Sequence, residues 1–91
     1  MSNAIDLSGA PIPIAAAREF VRDRLDRCRT IPQTEEAVWA ASELVVCAVV
    51  HRLTDITLVV DLTGSGVRLE LRDSQARPLR VADVPLIFEV R

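Results

Sequence analysis

The sequence predicts an α+β two-layer sandwich, with two main helices packed on one face of a mostly antiparallel sheet. Three observations predict it. Apolar residues recur at spacings of three and four through the first half of the chain, which is the helical period. After Thr54 the period falls to two, the strand period. The chain has 91 residues, room for one small domain, so the helices and the strands must share one core.

The elements follow in order. Met1-Ser2-Asn3-Ala4 reads as a cloning remnant and is left out of the fold reasoning, so a single domain is expected over 5–91. Residues 5–13 (IDLSGAPIP) mix apolar residues with Gly9, Pro11 and Pro13, a lead-in with room for a short edge strand. The first helix starts after Pro13, a residue suited to a helix start. Its apolar face is Ile14, Ala17, Val21, Leu25 and Cys28; its charged face carries Arg18, Glu19, Arg22, Asp23, Asp26 and Arg27.

Thr30-Ile31-Pro32-Gln33-Thr34 interrupts the helical period, because Pro32 cannot continue a helix. Thr34 suits an N-cap, and Glu35 and Glu36 follow in the first turn, where the helix dipole favours carboxylates. The second helix is predicted from about Glu35 to Arg52, with an apolar stripe of Val38, Ala41, Leu44 or Val45, and Ala48. Val46, Val49 and Val50 make its second half apolar nearly all round, which predicts deep burial or a cover on a second side. Trp39 reads as a core residue.

Residues 55–62 (DITLVVDL) predict a strand. Thr63-Gly64-Ser65-Gly66 predicts a hairpin turn whose glycines supply positive φ. Residues 67–72 (VRLELR) alternate, with Val67, Leu69 and Leu71 inward and Arg68, Glu70 and Arg72 in water. Residues 73–84, with Pro78, predict a connection, and 86–91 (LIFEVR) a closing strand.

Composition removes several function classes. The residues are 49% hydrophobic and 26% charged, so global disorder is excluded. The net charge of −2 and a pI of about 5.3 disfavour a nucleic-acid partner held by charge alone. Every cation apart from His51 is an arginine; with no lysine, Schiff-base chemistry and a phosphate-loop lysine are out. The longest apolar run, Val45 to Val50, is far short of a membrane span. Cys28 and Cys47 do not make a disulfide framework, and Met1 to Ala4 lack the basic and apolar regions of a signal peptide, so a cytoplasmic location is expected.

Glu43, Cys47 and His51 stand four residues apart along one flank of the second helix. Glu43 and His51 are separated by about 12 Å of helix axis, so the three cannot ligate one ion. Cys47 with His51 is half of a zinc site with no second pair to complete it. Cys–His nucleophilic catalysis would need an oxyanion-holding loop, and no glycines near either residue supply one. No metal site is therefore expected. The bland alternatives are a rim carboxylate for Glu43, a small core-like residue for Cys47, a helix-end histidine for His51 and a turn-starting aspartate for Asp73.

Residues 42–51, SELVVCAVVH, resemble the helix motif of the histidine-kinase-like (GHKL) ATPases. More narrowly, they are similar to the anti-sigma-factor serine-kinase branch, whose motif reads Ser-Glu-Leu-Val-x-Asn-Ala-x-x-His. The resemblance runs back to the helix over 15–29 and forward through the hairpin to Leu69-Glu70-Leu71-Arg72-Asp73, roughly residues 14–75, and LIFEVR looks like the family's last strand. It implies a truncated histidine-kinase-like ATPase fold. It makes Glu43 the remnant of the general base, Asp73 the remnant of the adenine-binding aspartate, and His51 the motif histidine. Cys47 falls where the family has the asparagine that holds Mg²⁺, and a thiol is a poor ligand for that hard ion. No glycine follows Gly66, so backbone amides free to cradle a triphosphate are missing.

The expectation is thus a regulatory domain that resembles anti-sigma-factor serine kinases but lacks Mg-ATP phosphotransfer. It would act by binding protein, either a sigma-factor-like or anti-anti-sigma-like partner or a second copy through the sheet or the first helix. Neither nucleic acid nor a membrane is expected as a partner, and no cofactor is expected. One alternative is a working kinase, with ATP and Mg²⁺, Glu43 as base, Asp73 as adenine anchor, and Arg77 or Arg80 on the phosphates. The other is an unrelated small α/β interaction module.

Overall fold

A computed structural model of the chain describes residues 3–27 and 34–85. It contains β1 (Ala4–Asp6), α1 (Pro13–Asp26), α2 (Thr34–Val50), β2 (Thr57–Leu62), β3 (Gly66–Arg72) and β4 (Pro78–Pro85). The four strands pair in the order β1-β2-β3-β4, and every pairing is antiparallel. The two helices lie against one face, as the periodicity predicts.

The core forms where the apolar stripes of both layers meet. Ala17, Val21 and Leu25 of α1 are buried, as are Val38, Ala41, Leu44, Val45 and Ala48 of α2. Beneath them lie Leu58 and Val60 of β2, then Val67, Leu69 and Leu71 of β3, then Val84 of β4. Leu7, just past β1, closes one end. Burying one such leucine removes enough apolar surface from water to contribute about 2 kcal/mol. α1 opens with Pro13 and no side-chain cap, so the proline's preset φ stands in for one. Arg22 of α1 forms an ion pair with Glu35 at the start of α2, across the two helices.

Among the described residues, the other face of the sheet has no second layer. Successive strand pairs place Asp6 beside Thr57, Asp61 beside Arg68, and Arg68 beside Asp83. Arg72 meets the Glu70 carboxylate through both Nε and Nη2 at 3.1 Å. A face that alternates charge in this way is stable against water.

Four expectations change. The segment 73–84 is mostly strand, since β4 pairs with β3 along its length. Its inward positions are Arg80, Ala82 and Val84, too weakly apolar to show a period of two, and Pro78 sits at its first residue, where a strand tolerates proline. Asn3 and Ala4, set aside as a remnant, belong to the sheet: the Val60 amide donates to the Asn3 carbonyl at 2.8 Å, and Ala4 pairs with Val59. Backbone pairing takes no account of side-chain identity, so composition could not reveal it. The hairpin glycines adopt no positive φ. Instead the Thr63 hydroxyl accepts the amide of Gly66 at 3.0 Å and closes the turn. Trp39, read as core, is 67% exposed. The break at Thr30–Gln33 and the closing strand over 86–91 lie outside the described residues.

Candidate functional site

α2 has four alanines, two glutamates in its first turn and no glycine or proline from Thr34 to Val50, while its five valines are weaker helix formers that the burial of its inner face offsets. It stops at a left-handed residue. Arg52 has φ 57°, its amide donates to the Val49 carbonyl at 3.0 Å, and the Leu53 amide donates to the Ala48 carbonyl at 2.9 Å. Those two bonds form a Schellman motif and satisfy the last carbonyls.

At 100° per residue, Ala41 and Ala48 mark the side of α2 that faces the sheet and α1. Trp39, Val46 and Val50 fall diametrically opposite, within a narrow stripe. Val46 is 40% exposed and Val50 70%. The all-round apolar second half of the helix therefore has no cover among the described residues, contrary to the burial predicted for it. Val49 and Leu53 widen the stripe at its C-terminal end. The open sheet face carries ion pairs, with Val81 exposed among them. Of the large apolar side chains exposed among the described residues, Trp39, Val46, Val49 and Val50 share α2, and Ile12, Leu53, Leu62, Leu79 and Val81 lie elsewhere.

Glu43 is exposed in this stripe, between Trp39 and Val46. Cys47, a free thiol, is half-buried on the flank. His51 is exposed at the helix end, its amide bonded to the Cys47 carbonyl at 3.1 Å. The three share one flank of α2, as their spacing predicts. Among the described residues no group of three or more His, Cys, Asp or Glu side chains is placed to hold a metal ion. A half-buried thiol beside one carboxylate does not fit the oxygen-rich shell that Mg²⁺ requires.

Asp73 stands elsewhere. It begins the connection from β3 to β4 and holds that connection in shape. Its Oδ1 accepts the amides of Gln75 and Arg77, both at 2.9 Å, and its Oδ2 accepts Arg77 Nε at 3.0 Å. The Arg77 amide, above all, keeps the Asp73 carboxyl below the usual aspartate range, with Gln75 and the Arg77 guanidinium adding to it. Arg77, the cation considered for phosphate, is thus occupied in the turn; Arg80 is exposed on β4. Asp73 also lines a cleft of about 480 Å³ on the open side, with Asp6, Asp55, Thr57 and Arg72. That cleft includes none of Glu43, Cys47 or His51. Asp6 in turn is held low by the Ser8 hydroxyl, at 2.6 Å.

Sequence reasoning missed the outward stripe. The signal was present: Trp39, Val46 and Val50 repeat at seven and four, half a turn away from Ala41 and Ala48. A second groove, of about 540 Å³, lies beside Trp39 and is bordered by Glu35, Glu36, Asp83 and Pro85. Among the described residues, no helix is long and apolar enough to cross a membrane. Comparison of the chain with family models, with curated proteins and with solved structures returns no match.

Proposed function

We propose that this is a regulatory protein-binding domain, of the type its SELVVCAVVH segment resembles, which works through the outward face of α2 and carries out no Mg-ATP phosphotransfer. The observation that carries the reading is the stripe of Trp39, Val46 and Val50, turned to water with Glu43 in its midst. Large exposed aromatic and aliphatic side chains on one helix face are the ordinary makings of a protein contact. Two further features support it. Both oxygens of Asp73 already accept bonds from its own turn, and the resemblance would put the free thiol of Cys47 at a position where Mg²⁺ needs oxygen. Phosphoryl transfer depends on dense charge stabilisation at the phosphates, and neither feature supplies it. The partner has the character of a sigma-factor-like or anti-anti-sigma-like regulator, or is a second copy of the chain.

The test is phosphate release from Mg-ATP and transfer of phosphate to candidate partner proteins. The expected result is none above the protein-free control. Turnover that disappears in Glu43→Ala would overturn the reading and restore Glu43 as a working base.

A further inference from the structure

We propose that the groove between the start of α2 and the end of β4 takes an arginine side chain of a partner protein, its guanidinium stacked on Trp39 and held by carboxylates. The proposal rests on the reading of α2 as a protein-binding face and gives the chemistry of the partner. Its first support is charge of a single sign. From Thr34 to Val50, α2 carries Glu35, Glu36 and Glu43 and no basic residue. α1, by contrast, interleaves Arg18, Arg22 and Arg24 with Glu19, Asp23 and Asp26, the mixture of an ordinary solvated helix face. Glu35 is engaged by Arg22. Glu36 and Glu43 are exposed, and neither is in an ion pair among the described residues.

The second support is where those carboxylates stand. Glu36 is three positions before Trp39 and Glu43 four after it, so both neighbour the indole on the helix surface, and on the same flank of it. The groove opens on that flank. It has a volume of about 540 Å³, with Trp39, Ala40, Val84 and Pro85 as apolar walls and Glu36 and Asp83 facing it from different elements. Asp83 touches Arg68 through one oxygen at 3.7 Å, and no arginine lines the groove itself. An electron-rich ring between carboxylates of two elements is complementary to a flat, weakly hydrated cation. Arginine fits that description better than lysine, because its planar fork stacks on the ring and donates to carboxylates at the same time. Trp39 is 67% exposed, so the groove does not enclose its occupant as a small-molecule site would. The arginine therefore arrives on a partner protein, whose neighbouring apolar side chains reach Val46 and Val50.

The test is calorimetric titration of the full chain with a blocked hexa-arginine peptide, and with hexa-lysine and hexa-glutamate peptides as comparators. Saturable binding of hexa-arginine is expected below about 1 mM, severalfold tighter than hexa-lysine, with no binding of hexa-glutamate. Trp39→Leu keeps an apolar side chain but removes the ring, and should weaken hexa-arginine binding roughly fivefold or more. Glu36→Gln should weaken it severalfold. Glu19→Gln, on the charged face of α1, removes the same charge away from the groove and should leave binding as in the wild type. Each variant should keep the far-ultraviolet circular dichroism spectrum of the wild type. Absence of hexa-arginine binding, equal binding of hexa-lysine, or Trp39→Leu and Glu36→Gln variants no weaker than Glu19→Gln overturns the assignment. The broader protein-binding reading fails separately, on ATP turnover.

Discussion

Gly66 lies so close beneath β4 that a Cβ added to it would stand 2.2 Å from the Val84 carbonyl oxygen and 3.0 Å from Pro85 Cα. Both neighbours are backbone and cannot turn aside. Gly66→Ala should therefore force β3 and β4 apart at the hairpin end and destabilise the fold by about 2 kcal/mol or more. Urea unfolding measures it. Gly64, with open space around its Cα, should accept alanine with a far smaller loss.

Two non-glycine residues occupy the left-handed region, Arg52 at φ 57° and Ala76 at φ 61°. Each is the residue that reverses the chain, one after α2 and one within the turn that Asp73 holds. Replacement by glycine removes the Cβ strain, and either Arg52→Gly or Ala76→Gly should stabilise the monomer by about 0.5–1 kcal/mol. Thermal unfolding at low protein concentration is the check for both.

The acid limb of stability should depend on three carboxylates. Glu70 is held low chiefly by its hydrogen bonds from Arg72, Asp73 by the Arg77 amide, and Asp6 by the Ser8 hydroxyl. A lowered folded pKa means that stability is fully present above the ordinary values of 4.5 for Glu70 and 3.8 for the aspartates. It is lost as pH falls below them, through the lower folded values. Asp73→Asn should lower the melting temperature at pH 7, and the gap to wild type should narrow as the pH is taken down toward 3.

Much of this fold was legible because burial dictated it. Ala17, Val21 and Leu25, then Val38, Ala41, Leu44, Val45 and Ala48, then Val67, Leu69 and Leu71 sit at periodic positions and point where the period says. β4 was not legible because Arg80 and Ala82 take inward places at a sheet edge, where little packing selects for apolar bulk. The candidate site was legible only in part. Spacing put Glu43, Cys47 and His51 on one flank, which is local geometry. That Asp73 spends its oxygens on Gln75 and Arg77 depends on how the β3–β4 connection folds back, and no spacing rule encodes it. Trp39 was misplaced because a helix apolar on two sides does not say which side the core takes.

The claim that the domain binds protein and does not handle Mg-ATP is tested most directly by its melting temperature with and without millimolar ATP and Mg²⁺. A ligand that binds the native state alone must raise that temperature. No shift beyond that of salt-matched buffer is predicted for either nucleotide condition. A magnesium-dependent rise of several degrees, absent in Asp73→Asn, would contradict the account.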